Sequence, residues 1–159
     1  MNELLQPCEY DIAIVGGGAA GVLAALQLLR QAVAMLRIVL VEPQSLLAQG
    51  VAYSTRRPEH LLNVPAGGMS AFVEVPDDFV DYLRERRCCP QLADDALPQA
   101  FVARLHYGAY LRERLAQAQA ASPARLEVLQ DRAETLDKHD DALLLQLASG
   151  ARIRARALA

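Results

Sequence analysis

Apolar residues run unbroken in two short stretches near the start of the chain, Ile12-Ala13-Ile14-Val15 and Ile38-Val39-Leu40-Val41. They predict strands over Asp11 to Val15 and over Arg37 to Val41. Between them, Val22, Leu26, Leu29 and Val33 recur at helical spacing and predict a helix from Ala20 to about Ala34. The pattern then changes. Pro43 to Arg57 reads as a short helix or turn and a loop, and Arg56 to Ser70 is irregular and rich in Pro and Gly. Phe79, Val80 and Leu83 form the inward face of a helix that begins at Asp77 or Asp78 and runs to about Arg87. Cys88 to Gln99 is loop. Phe101 to about Ala121 is helical again, with Leu105, Tyr110 or Leu111, and Leu115 inward and Gly108 weakening it locally. Arg125 to Leu129 predicts a strand. Ala133 to Leu136, Leu143 to Leu147 and Arg152 to Ala157 predict an antiparallel meander turning at Asp140-Asp141 and Ser149-Gly150.

The first strand stops at Gly16-Gly17-Gly18-Ala19-Ala20-Gly21, and the helix restarts from it. Gly16, Gly18 and Gly21 fit G-x-G-x-x-G. Glu42 ends the second strand 21 residues after Gly21, near the ~20-residue spacing of a dinucleotide site. Gly16 permits a tight turn, Gly18 lets a pyrophosphate approach the backbone, and Gly21 lets helix and strand pack closely. Ala19 and Ala20 keep the mouth of the helix open, where free N–H groups and the positive dipole end face an anion. The carboxylate of Glu42 accepts hydrogen bonds from ribose hydroxyls and repels a 2′-phosphate, which favours FAD or NAD over NADP. The competing account is a glycine-rich turn in an ordinary α/β protein with a chance glutamate.

With 159 residues, 53% of them hydrophobic, the chain is about one domain with a real core. Its net charge of −3 and lack of a basic block give no sign of nucleic acid, and the absence of Trp argues against a base-stacking surface. Fifteen of the 16 basic residues are Arg, which reads as nucleotide bias more than function. No signal peptide or membrane span is evident, so a cytoplasmic location is expected. Cys8, Cys88 and Cys89 have no metal-ligand spacing. Cys88 and Cys89 read as free thiols in a loop. Residues 43 to 87 contain no cysteine, which removes the redox pair that dithiol flavoprotein reductases place after the second strand.

About eighty residues separate the second strand from the next. A simple βαβαβ NAD half has no need of them, whereas a FAD domain often carries such a segment over the flavin end of its cofactor, and a meander besides.

Several segments carry a resemblance. They are Ile14-Val15-Gly16-Gly17-Gly18-Ala19-Ala20-Gly21, Val41-Glu42-Pro43, Gln49-Gly50-Val51-Ala52-Tyr53-Ser54, His60-Leu61-Leu62-Asn63-Val64-Pro65-Ala66-Gly67-Gly68-Met69-Ser70, and Phe101-Val102-Ala103-Arg104 with Tyr107-Gly108 and Tyr110-Leu111. Together the chain resembles the bacterial FAD/NAD(P)-binding flavoproteins grouped with urate hydroxylase and amino-acid N-monooxygenase enzymes. The resemblance covers essentially the whole chain. It implies a flavoenzyme with two dinucleotide domains that holds FAD and uses NAD(P)H as co-substrate. By position it places Gly16, Gly17, Gly18, Ala19, Ala20 and Gly21 on the FAD pyrophosphate, and Glu42 and Pro43 at the adenosine ribose. It puts Asn63 along the cofactor near the flavin, makes Arg104 an anion partner or a loop anchor, and lets Ala133 offer backbone groups to the adenine. Gly68 stands where members commonly have a basic residue. Members run to several hundred residues, so the chain is expected to be the N-terminal part of a longer protein.

Other polar residues have plainer readings. His60 is a proton donor near the flavin or a histidine holding the loop. His106 reads as structural and His139 as a solvated turn. Asp77 and Asp78 read as helix caps. Tyr53 packs on cofactor or fills a loop. The runs Arg84-Glu85-Arg86-Arg87 and Arg112-Glu113-Arg114 read as solvated helix faces.

The expected fold is α/β: a Rossmann-like three-layer sandwich over residues 1–159, with a parallel sheet, an antiparallel β-meander on one face, and an incomplete C-terminus. The expected function is an FAD-dependent oxidoreductase domain of monooxygenase type, with catalytic residues and small-molecule substrate unassigned, no metal, and no nucleic-acid or membrane partner. Two alternatives stay open. One is a nucleotide-binding module without turnover. The other is a truncated domain that self-associates through an exposed sheet edge.

Overall fold

The computed structural model describes residues 8–139 and 141–159. The N-terminal residues behind the leader reading, and Asp140 of the predicted turn, lie outside them. So do the side chains of Cys8, Val51 and His139.

Strand β1 (Cys8–Val15) leads into helix α1 (Ala19–Gln31) and strand β2 (Arg37–Val41). A short helix, α2 (Gly50–Tyr53), and a 3₁₀ turn at Ala66–Gly68 precede α3 (Asp78–Glu85). A second 3₁₀ turn at Leu97–Gln99 precedes α4 (Arg104–Ala121). Four strands follow: β3 (Arg125–Leu129), β4 (Ala133–His139), β5 (Ala142–Leu147) and β6 (Arg152–Leu158). All six strands form one sheet in the order β3-β2-β1-β6-β5-β4. β3, β2, β1 and β6 run parallel, while β5 and β4 add antiparallel.

The apolar runs have partners on both sides, as parallel strands require. Ile14, Ile38 and Leu40 join Val22, Leu26 and Leu29 of α1 and Tyr110, Leu111 and Leu115 of α4 in the main core. Ala13, Val39 and Val41 point the other way and join Leu145, Leu147, Ile153 and Ala155 in a second core. No helix belongs to that second cluster, yet its members are almost fully buried.

The chain itself explains the cover. β3 and β4 are the two ends of the sheet, but only residues 130–132 connect them. Five inter-strand spacings in a flat sheet come to about 24 Å. The four steps from Leu129 to Ala133 reach at most about 14 Å. The sheet must therefore roll until its ends approach, and its inner face becomes the second core. The Ala148 N–H bonds the Arg132 carbonyl at 2.9 Å, extending the β4–β5 ladder up to this connector. The expected meander is thus present, hydrogen-bonded edge-on into the parallel sheet through β6 and curled over one face of it.

Three local expectations are corrected. Helix α1 ends at Gln31 rather than near Ala34, and Val33 is 98% exposed instead of belonging to the apolar stripe. Ala32 turns extended, and the Ser122 hydroxyl takes the Leu29 carbonyl at 2.7 Å, closing the helix end. Asp77 occupies the N-cap of α3 but makes no side-chain cap bond. Asp78 does not cap either. It accepts from the Tyr110 hydroxyl at 2.6 Å and from Arg114 Nε at 2.8 Å. Arg114, expected on a solvated face, is only 12% exposed and lies over the rings of Tyr82 and Tyr110. Burial and the Asp78 carboxylate push the Tyr110 hydroxyl far above its usual pKa, so it stays a donor at any ordinary pH.

The strand β6 that ends the described chain is flanked by β1 and β5 through Ile153–Ala155. The open edges of the sheet are β3 and β4, which is where any edge-to-edge association has to be sought.

The Tyr110 hydroxyl also accepts the Ala71 N–H at 2.9 Å, tying the loop before α3 to α4. Tyr110→Phe strands both Asp78 and that amide of one partner. We expect a loss of about 1–3 kcal/mol, read as a lower urea midpoint with an unchanged denaturant slope.

Candidate dinucleotide site

The carboxyl ends of β1, β2 and β3 lie side by side. The Gly16 N–H bonds the Val41 carbonyl at 2.9 Å, and the Glu42 N–H bonds the Leu129 carbonyl at 3.0 Å. The chain leaves β1 toward β2 on one side, while β6 lies on the other. A ligand site in an open α/β sheet sits at such a reversal of strand order.

The turn from β1 into α1 is built on three different uses of glycine. Gly16 has φ +98, the left-handed region, with open space where a Cβ would be. Its role is backbone conformation. Gly21 is the opposite case, since a Cβ there would stand 1.9 Å from the Gly16 carbonyl oxygen. Its role is contact, because α1 rests directly on the end of β1. Gly17 is hemmed in by side chains: its Cβ would meet Leu47 at 2.6 Å and Glu42 at 2.9 Å. The sequence pattern leaves Gly17 as a free position. The structure restricts it through those two side chains.

Gly18 takes the N-cap of α1 without any side-chain cap, and no acid occupies the first turn. The amino end of α1, with Ala19 and Ala20, therefore presents backbone donors and its positive dipole end without an internal anion. Glu42 is fixed beside it. One carboxylate oxygen accepts the Gly17 N–H at 2.6 Å and the other accepts the Gln44 N–H at 2.8 Å. Each oxygen keeps capacity for a further donor. Pro43 follows, and its carbonyl accepts from the Gln130 side chain at 3.5 Å.

The other candidates fall elsewhere. Asn63 is exposed on the loop from His60 to Ala66. That loop is bound to residues 100–104 through Leu62 N–H to the Val102 carbonyl (2.8 Å) and Ala66 N–H to the Ala100 carbonyl (2.9 Å). Arg104 is its anchor: the backbone N–H bonds the His60 carbonyl at 2.9 Å and Nε bonds the Leu61 carbonyl at 2.8 Å. The His60 ring pairs with the Thr55 hydroxyl at 2.7 Å. Tyr53 packs against the Tyr107 ring at 5.1 Å. Ala133 opens β4 opposite Leu147 and packs on the second core. So the structure assembles Gly16 to Gly21, Glu42 and Pro43 in one place, with Asn63 and Arg104 on a second pair of segments.

Sequence reasoning missed Leu47 and Ala48, just before the Gln49–Ser54 segment it singled out. Nothing in a Leu-Ala pair signals them, yet the Ala48 N–H bonds the Gly17 carbonyl at 2.7 Å. A cavity of about 470 Å³ lies away from this site, at the beginnings of β1, β2 and β6. Its charges pair with one another, Arg154 with Glu9 at 3.1 Å and Arg156 with Asp11 at 3.5 Å. Cys88 and Cys89 are free, and burial raises both thiol pKa values, so neither is an activated nucleophile. Among the described residues, no group of three or more His, Cys, Asp or Glu could hold a metal ion, and no helix is long and apolar enough to cross a membrane.

A family model described as FAD-NAD(P)-binding matches residues 13–159. None of the curated proteins matches the chain. Among solved structures, a flavin-containing monooxygenase from Stenotrophomonas maltophilia superposes with a TM-score of 0.59 at 21% identity, over 95% of this chain and 37% of that one. Bacillithiol disulfide reductase from Staphylococcus aureus gives 0.62 at 14% identity over the same shares. Glycine oxidase from Geobacillus kaustophilus gives 0.54 at 17%, over 96% of this chain and 55% of that one. At these identities the likeness shows the fold. The chain spans 37% to 55% of the length of these three proteins.

Gly21→Ala should cost at least ~3 kcal/mol, the upper end for overpacking, because the clash is with backbone. Gly150→Ala, at φ +87 in open space, should cost only about 1–2 kcal/mol of backbone strain. Urea unfolding of the two variants tests that order.

Proposed function

The chain belongs to the FAD-NAD(P)-binding family, and on that premise we propose that it is the FAD-holding part of an NAD(P)H-using, monooxygenase-type oxidoreductase. The observation that carries the dinucleotide reading, common to FAD and NAD, is Glu42, held by the Gly17 and Gln44 amides beside an uncapped helix end. Donors for a diphosphate and an acceptor for a ribose diol stand within one turn of each other. The site also leaves room for such a group at Gly16, where a Cβ would meet nothing within 4 Å, while the Cβ side of Gly18 lies 3.8 Å from Gly50 Cα.

In this reading Gly18, Ala19 and Ala20 supply backbone N–H groups to the pyrophosphate, with the dipole of α1 behind them. Glu42 takes the ribose hydroxyls and turns away a 2′-phosphate. Pro43 borders the ribose, Ala133 offers backbone to the adenine, and Asn63 lies toward the flavin on the loop that Arg104 anchors. When bound, FAD supplies the two-electron redox chemistry, while the protein orients it. The monooxygenase assignment is supported by the Gly-Val-Ala-Tyr and Leu-Asn-Val-Pro-Ala segments and by the flavin monooxygenases among the similar structures. Use of NAD(P)H, a small-molecule substrate and a cytoplasmic setting belong to the same proposal.

The purified chain should carry visible flavin absorbance through gel filtration, or regain it with added FAD. Reversible NAD binding with no uptake of flavin would replace this reading with that of a nucleotide-binding module. Glu42→Gln is not conservative here. Its carboxamide NH₂ must face either the Gly17 or the Gln44 N–H, donor against donor. FAD affinity should fall roughly 10- to 100-fold, the worth of a hydrogen bond to a charged group, as read by flavin fluorescence titration.

A further inference from the structure

One face of α4 meets the loop after β2. Arg112 Nη1 donates to the Leu47 carbonyl at 3.1 Å. One turn earlier, Gly108 lies so close to the loop that a Cβ there would stand 2.9 Å from the Ala48 carbonyl oxygen. Ala48 is fully buried and sits at φ +57. A non-glycine residue holds that conformation only where its surroundings over-determine it. Here they do so from both sides, with α4 behind and Gly17 in front, whose carbonyl takes the Ala48 N–H at 2.7 Å. Two residues on, a Cβ on Gly50 would lie 3.3 Å from Gly18 Cα, so the loop also runs along the glycine turn.

The geometry of the peptide group gives this contact a chemical consequence. The Gly17 carbonyl and the Gly18 N–H belong to one planar trans peptide and point in opposite directions. By gripping the Gly17 oxygen, Ala48 aims the Gly18 N–H away from the loop, into the open mouth of α1. The peptide before it is fixed as well, through the Gly17 N–H on Glu42.

We propose that Gly108 and Arg112 are positioning residues of the dinucleotide site. They hold Leu47 and Ala48 so that Ala48 orients the Gly17–Gly18 peptide, and with it the first donor offered to a pyrophosphate. Arg112 is therefore no solvated helix residue, and Gly108 is a point of access rather than a weakness in α4. The inference rests on the reading of the glycine turn as the FAD pyrophosphate site.

Three variants of the full chain test it: Gly108→Ala, Arg112→Ala and Arg112→Lys. Each is measured by FAD titration and by hydrogen exchange at the Ala48 amide and along α4. Gly108→Ala favours the helix intrinsically, so a purely structural glycine predicts firmer α4 amides and unchanged FAD binding. We expect instead FAD affinity roughly tenfold lower, the equivalent of one hydrogen bond, with faster Ala48 exchange and α4 still protected. Arg112→Ala should do the same, and Arg112→Lys should recover part of the affinity by keeping one donor. If the parent binds FAD and the two alanine variants bind it equally well, or if Ala48 exchange is unmoved, the positioning role is overturned. A parent chain that takes up no FAD overturns the reading of the turn itself, and the inference with it.

Discussion

The closest constraint in the molecule is the seat of α1 on β1, where no atom beyond hydrogen fits between Gly21 and the Gly16 carbonyl. That contact fixes the axis of α1 against the sheet and the place where its amino end emerges. With the helix seated, Val22, Leu26 and Leu29 meet Ile14, Ile38 and Leu40 in the main core. The uncapped end at Gly18 then faces the ends of β1 and β2. The chemistry of the site follows from that placement. Backbone donors come from the start of a helix, and an acid comes from the strand beside it, at the one edge where both are accessible.

The loops between β2 and α4 supply little regular structure, yet side-chain contacts from α4 hold them in register. Asp78, Tyr110 and Arg114 bind α3, α4 and the Ala71 amide together. Arg104 binds the His60–Ala66 loop. Arg112 and Gly108 bind the loop beside the glycine turn. α4 thus works as a spine against which three irregular segments are fastened. Its residues alternate between core packing and loop carbonyls, which explains why an 18-residue helix shows no clean division into apolar and polar faces.

Local pattern made the first part of this legible. Arg37–Val41 and Arg125–Leu129 were readable as strands because their apolar or alternating runs are short and bounded, and the glycine turn and Glu42 were readable from spacing alone. The end of α1 was not, because Val33 continues the apolar stripe while the chain is turned away by Ser122, a residue 93 positions from Leu29. Asp78 read as a cap and Arg114 as part of a solvated face, and only the fold brings them together under Tyr110. Ala48 was invisible, since alanine carries no preference for the left-handed region it occupies. The roll of the sheet was equally hidden. It arises from a connector too short for a flat sheet, a fact that needs the strand order.

β1 finds one neighbour, β2, within thirty residues, but its other neighbour, β6, begins some 145 residues further along. A chain emerging in sequence therefore has its glycine turn, its helix and its acid in place long before β1 gains its second partner. Until then one edge of an apolar strand stands open, able to recruit any extended segment that passes. Synthesis of this protein carries a defined window of vulnerability to mispairing, which opens with β1 and closes only when β6 is made.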